Sequence, residues 1–141
     1  MKSLLPKIVG ALINFIGVFN TTYASKLALK LFSKPRNGQL KPHASTFLDT
    51  ATRKTTLYYD GLPIQTYQWE GSKETVLLAH GWESNSGRWR HKIKKLHKEG
   101  YNIIALDGPA HGGSGSDTFN AILYAEFINV VSQKFKPTAY I

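Results

Sequence analysis

Hydrophobic and polar positions fall into three rhythms along this chain of 141 residues. From Leu4 to Phe19 almost every position is apolar, with Lys7 and Asn14 interrupting. A second stretch follows in which Ala24, Leu27, Ala28, Leu31 and Phe32 recur at helical spacing among Lys26, Lys30 and Lys34. Both predict helices. Pro35 to Pro42, with Asn, Gly and Lys between the prolines, reads as a linker. Then the period shortens. Thr55–Tyr59 and Ile64–Trp69 read as two strands around an Asp60-Gly61 hairpin turn lengthened by Pro63. Ile64, Tyr67 and Trp69 do not alternate, so the pattern leaves the inward face of the second strand open. Two short apolar runs, Thr75–Ala79 and Tyr101–Leu106, read as buried strands. A helix over Gly87–Glu99 is predicted between them, with Ser86 as its cap, a stripe of Trp89, Ile93 and Leu96, and Gly100 as its left-handed stop. A last helix is expected to be capped by Asp117 or Thr118. Its stripe would be Ile122, Ala125, Ile128, Val131 and Phe135, Pro137 would stop it, and Thr138–Ile141 would be a fifth strand. Strand–helix–strand–helix–strand order from Thr75 onward implies right-handed crossovers and a parallel sheet, so the fold class is α/β.

Charge changes this picture in one place. The net charge is +9, and residues 1–59 hold nine Lys or Arg against Asp49 alone. The remaining residues are close to balance, at +1. The basic character thus belongs to the N-terminal stretch, where a solvated helix face is the plainest reading. With 0 Cys, disulfides, redox thiols and Cys-ligated metals are excluded. Ile8–Phe19 is too short for a bilayer span, which takes about 20 residues. Three roles for residues 4–32 remain. The helices pack on the protein, they contact a membrane surface peripherally, or they form a signal peptide starting at Lys2 and Lys7 and cleaved near Thr22-Tyr23-Ala24. The expected location is accordingly cytoplasmic, with membrane association or export as alternatives. No nucleic-acid partner is expected.

The chemistry-bearing residues follow the two buried strands. Val76-Leu77-Leu78-Ala79 runs into His80-Gly81-Trp82, and Ile103-Ile104-Ala105-Leu106 into Asp107-Gly108-Pro109-Ala110-His111-Gly112-Gly113-Ser114. In open α/β sheets, ligands bind at such carboxyl ends. The second loop is not a phosphate loop, because Gly113-Ser114 stands where Gly-Lys-Ser/Thr would be needed, and no Gly-X-Gly-X-X-Gly occurs. His80 and His111 invite a metal reading, but three or four ligands at a recognisable spacing are missing. No metal or cofactor is expected. His43, His91 and His97 stand alone. Glu83 and Arg88 are spaced to form an ion pair.

These loops resemble the α/β-hydrolase superfamily, and His80-Gly81-Trp82-Glu83-Ser84-Asn85-Ser86-Gly87-Arg88-Trp89 is similar to a bacterial branch of esterase-like hydrolases. The likeness covers residues 27 to 141 and is strongest after residue 75. It implies a partial fold: a basic helical extension and linker over 1–42, then over 43–141 the N-terminal half of a hydrolase domain, hairpin strands followed by parallel β-α-β-α-β. It also implies an oxyanion-hole loop at His80, Gly81 and Trp82, with the Trp82 N–H as donor and its side chain against the acyl group. Asp107, His111 and Gly112 belong to the loop after the fourth strand, where Asp107 would tie down the loop and both histidines would hydrogen-bond loop backbone. Relatives carry Pro-Gly-His-Gly in this loop, and Ala110 replaces the first of those glycines. An ordinary backbone angle at Ala110 is expected. The implied activity is hydrolysis of small carboxylic esters by a Ser-His-Asp triad. No Gly-X-Ser-X-Gly elbow occurs among these residues, so the triad is expected beyond Ile141 and the chain alone is expected to be inactive. Asp-nucleophile hydrolysis and a non-catalytic binding or scaffold role are the alternatives.

Overall fold

The computed structural model describes residues 4–36 and 38–141, apart from the side chain of His43. Lys2 at the expected signal-peptide start and Asn37 in the linker lie outside the described residues, as does the side chain of His43. The chain divides into two compact units, Met1–Lys34 and Pro35–Ile141.

The first unit is a pair of helices, α1 (Leu5–Phe19) and α2 (Thr21–Phe32). Pro6 opens α1 at a position where a missing N–H costs nothing. Asn20 ends α1 and starts α2 at once, its side chain accepting from the Tyr23 N–H at 2.9 Å. Gly17 lies against the buried Ala24, and small residues at this point allow the helices to approach. No helix among the described residues is long and apolar enough to cross a membrane.

The second unit begins with α3 (Pro42–Leu48), then β1 (Arg53–Tyr59), β2 (Leu62–Trp69) and β3 (Thr75–Ala79). A 3-10 turn, Ser86–Trp89, leads into α4 (Arg90–Lys98). β4 (Asn102–Leu106), α5 (Ala121–Phe135) and β5 (Ala139–Tyr140) follow. The sheet order is β1-β2-β4-β3-β5. β3 lies parallel to both β4 and β5, while β1 and β2 join antiparallel. The chain is thus α/β with the hairpin and parallel β-α-β-α-β order that the pattern predicts.

Both faces of the sheet are covered, which explains the unbroken apolar runs. Val76, Leu78, Ile103 and Ala105 face one layer with Ile93 of α4 and Phe47 of α3. Leu77, Ile104 and Leu106 face the other, against Tyr124, Phe127 and Val131 of α5. The irregularity in β2 has the same cause. Ile64 points to the α5 layer and Tyr67 and Trp69 to the opposite one.

Several boundaries correct the sequence reading. Pro42 does not end a linker; it opens α3, whose Phe47 stacks on Trp69 with ring centroids 5.5 Å apart. The hairpin turn is two residues, Asp60 and Gly61, both at positive φ, and Pro63 lies inside β2. Asn85, not Ser86, caps the 3-10 turn, accepting from the Gly87 N–H at 3.1 Å. Asn120, rather than Asp117 or Thr118, caps α5. The buried stripe of α5 is Tyr124, Phe127 and Val131, whereas Ile122 is 79% exposed. The expected Ile128 and Phe135 pack against the same face, while Ile122 lies on the opposite side of the helix.

Candidate functional site

The carboxyl ends of β3 and β4 lie side by side because these strands pair in parallel, Ala79 opposite Leu106. Their loops, 80–85 and 107–116, therefore start next to each other, and three buried polar side chains join them.

Asp107 is fully buried. Its carboxylate accepts from the Ser86 N–H at 2.8 Å, the Gly113 N–H at 2.9 Å and the Tyr67 hydroxyl at 3.1 Å. One carboxylate thus holds the end of the first loop, the far side of its own loop and strand β2. A buried charge is tolerated where it is hydrogen-bonded this fully. Burial, and next the Asp107 charge, push the Tyr67 hydroxyl far above its usual pKa, so Tyr67 stays a donor. Gly112 approaches this carboxylate so closely that any side chain would overlap it, and its φ is +54°.

His80 and His111 form a reciprocal clasp, their ring centroids 5.2 Å apart. His80, on the β3 loop, accepts at Nε2 from the Gly108 N–H of the other loop at 2.9 Å. His111, on the β4 loop, accepts at Nε2 from the Glu83 N–H of the first at 3.1 Å. A backbone N–H can only donate, so both rings carry their proton on Nδ1. Those protons go to Gly81 O at 2.8 Å and Pro109 O at 2.7 Å. Burial holds the His80 pKa below its ordinary value, which favours this neutral form. Tyr124 adds a bond from its hydroxyl to His80 O at 2.9 Å. Among the described residues no group of three or more His, Asp or Glu side chains could hold a metal ion.

The remaining loop residues fall into place around this clasp. The backbone N–H groups of Gly81 and Trp82 donate no hydrogen bond among the described residues. The Trp82 side chain is 43% exposed and meets His111 and Phe119 edge-on. Ser114 is spent on structure, donating to Asp107 O at 2.6 Å and accepting from the Gln65 N–H at 2.9 Å. Glu83 lies 3.6 Å from Arg36 and accepts from the Arg36 N–H at 3.1 Å, a partner at a sequence distance that the expected pairing with Arg88 did not span. A recess of about 230 Å³ beside this loop is lined by Lys41, Glu83, Ser84 and Arg88 among others. It is smaller than the usual range for a small-molecule site, about 300–1,000 Å³.

Two features escaped the sequence reading. The segment read as a linker is a strap over both loops. Gly38 O accepts from the Gly112 N–H at 2.9 Å, Asn85 donates to Gln39 O at 3.2 Å, and Gly38 packs on the His111 ring where a Cβ would sit 2.3 Å from Cδ2. Ala110 does not have an ordinary backbone angle. Its φ is +59°, so a side chain stands where glycine is favoured, and this corrects the expectation made for it.

No family profile and no curated protein sequence matches the chain. Solved structures do. An esterase from Exiguobacterium antarcticum superposes with a TM-score of 0.56 at 28% identity, over 62% of this chain and 34% of the esterase. The thioesterase domain from the curacin biosynthetic pathway gives 0.54 at 23% identity, over 59% of this chain and 33% of that one. Epoxide hydrolase A from Mycobacterium thermoresistibile gives 0.54 at 20% identity, over 62% and 30%. The chain has a partial α/β-hydrolase fold. The matched part of this α/β-hydrolase fold spans about a third of the length of those structures. All three neighbours are hydrolases by name, and they differ in the bond cleaved.

Proposed function

We propose that this chain supplies the oxyanion-stabilising part of an α/β-hydrolase acting on small carboxylic esters. The observation that carries the proposal is the pair of unbonded N–H groups at Gly81 and Trp82, at the end of a buried strand and fixed from behind by the two histidines. Attack on an ester carbonyl places negative charge on its oxygen. A fixed donor at that position lowers the barrier by about 3–4 kcal/mol, because it needs no reorganisation during the reaction. The Trp82 N–H is the donor in this reading, and the exposed Trp82 ring borders the acyl group. Asp107, His80 and His111 act indirectly, holding the loop. The nucleophile, acid and general base are assigned to sequence following Ile141 in the whole protein. Among the structural neighbours the esterase has the highest identity of the three described, which favours an ester over an epoxide.

The test uses the whole protein. A fluorophosphonate probe should label one serine located after Ile141, and short-chain nitrophenyl esters should turn over. Trp82→Pro, which lacks the N–H, should lower kcat by about 10²–10³ with little change in KM. Trp82→Ala, which keeps the N–H and loses the ring, should hold kcat near the parent value and raise KM. Epoxide hydrolysis without serine labelling would move the reading to an Asp nucleophile. A folded protein inert to esters and epoxides would favour the non-catalytic role.

A further inference from the structure

The N-terminal helices carry an exposed surface that the hydrolase reading does not use. Leu5, Ile8, Leu12, Phe15 and Phe19 follow one another at spacings of three and four on α1, so they form one stripe along the helix. They are 55–77% exposed. A surface helix of a globular protein normally turns such a stripe inward. On α1 the inward side is a different one: Val9, Gly10, Ile13, Ile16 and Gly17 are the partly buried positions, and Gly17 meets Ala24 of α2.

The position of the charges relative to this stripe follows from the helix geometry. An open recess beside the helix contact is lined by Asn14, Val18, Thr21 and Ser25 among others, which fixes one flank of the pair. At 3.6 residues per turn, the apolar stripe of α1 falls on the other flank. Tyr23 and Lys30 of α2 fall there too, and Lys34, just past the end of α2, lines a shallow recess together with Lys30 and Leu27. Among residues 4–34 the charged side chains are Lys7, Lys26, Lys30 and Lys34, with no Asp or Glu beside them. One flank therefore combines an apolar stripe with a cationic margin.

We infer that this flank lies on an anionic lipid surface, with the α1 stripe at the level of the acyl chains and Lys30 and Lys34 at the headgroups. The stripe from Leu5 to Phe19 runs about 21 Å along the helix axis, at 1.5 Å per residue. That suits a helix lying in the interface plane, and no described helix can cross a membrane. The lysines reach headgroup phosphates while their methylene stems cover apolar surface. A second copy of the chain is disfavoured as occupant, since its flank bears charge of the same sign. Nucleic acid would use the lysines and leave five apolar side chains in water.

The absence of Cys in the chain makes the test direct. Single cysteines introduced as Leu12→Cys and, for the recess flank, Ser25→Cys each take an environment-sensitive fluorophore. The full 141-residue chain is mixed with vesicles of phosphatidylcholine alone or with about a third phosphatidylglycerol. The label at residue 12 should shift to the blue on the anionic vesicles, the label at residue 25 should shift much less, and plain vesicles should have little effect. In co-sedimentation, Lys30→Gln/Lys34→Gln should weaken binding about thirtyfold, and Lys95→Gln/Lys98→Gln on α4, with the same loss of charge, should change it little. Phe15→Ser/Phe19→Ser should abolish binding with helix content unchanged by circular dichroism. Binding indifferent to lipid charge, equal shifts at both labels, or equal loss from the two lysine pairs would overturn the inference. So would concentration-dependent self-association that buries the residue-12 label without vesicles, or duplex DNA binding in place of lipid binding.

Discussion

Phe127 and Phe15 are the same side chain in opposite circumstances. Phe127 of α5 is fully buried against Ile64, Leu77 and Ile104, while Phe15 of α1 is 64% exposed and meets the Phe19 ring edge-on. The same contrast separates the two units. In Pro35–Ile141 the apolar residues of adjacent strands alternate between two covered faces, and the buried Asp107, His80 and His111 are hydrogen-bonded. In the N-terminal helices apolar residues face outward and the charges share one sign. An apolar pattern at helical spacing thus marks a face that needs cover without saying what covers it.

The largest test of this contrast is a pair of substitutions. Phe127→Ala should destabilise the chain by about 3–5 kcal/mol, the usual range for a buried Phe. Phe15→Ala should change the urea midpoint by no more than about 0.5 kcal/mol equivalent. Similar losses from both would show that Phe15 is covered in solution. Asp107→Ala comes next, with a loss of about 3 kcal/mol, because two N–H groups and the Tyr67 hydroxyl are stranded in the interior. Asp107→Asn retains one carbonyl acceptor and should recover part of this loss, again by urea unfolding.

A smaller effect is set by pH. The His80 pKa is lowered by burial, so the folded state binds fewer protons than the unfolded chain below the ordinary histidine value of about 6.5. The stability contributed by neutral His80 is therefore present above about pH 6.5 and lost as pH falls toward the depressed value, by up to about 1.4 kcal/mol per pH unit. His80→Gln should flatten that part of the profile, and an unchanged slope would place the proton uptake elsewhere. The smallest expected effect is a gain. Ala110→Gly should relieve the left-handed strain, worth about 1–2 kcal/mol, while losing about 0.5–1 kcal/mol to backbone freedom. A rise in melting temperature of a few degrees or less is expected, and a fall would show that the Ala110 methyl makes a contact outweighing its φ.

Legibility in the sequence followed locality. β3 has the predicted bounds of Thr75–Ala79, because a short apolar run between polar turns has few other solutions. The hairpin and the parallel order were legible for the same reason, and Gly100 stops α4 with φ +92° as expected. Caps were less so, since Asp117, Thr118 and Asn120 all have capping chemistry and only the start of the helix selects among them. The strap was illegible. Its residues look like a linker because their partners, Glu83, Asn85 and Gly112, are more than forty positions away. The expected α5 stripe was right at Ile128, Val131 and Phe135 but wrong at Ile122 and Ala125, which face solvent, and it left out Tyr124 and Phe127, which carry the N-terminal half of the face. For the site, the strand ends located both loops, but the Asp107 acceptor set and the crossed histidine bonds depend on which distant donors the fold brings into hydrogen-bond range.

The crossed bonding has a consequence for modularity. Each histidine belongs to one loop and grips the backbone of the other, and Gly38 lies against the ring of one of them. Neither loop carries the full set of contacts that shapes it. Transplanting the His80–Asn85 loop into another scaffold would leave behind the ring that holds Glu83, and transplanting the second loop would leave behind the ring that holds Gly108. A recombination breakpoint between residues 86 and 106 would separate the two halves of the clasp, so this stretch should be inherited, or exchanged in engineering, as one indivisible block together with residue 38.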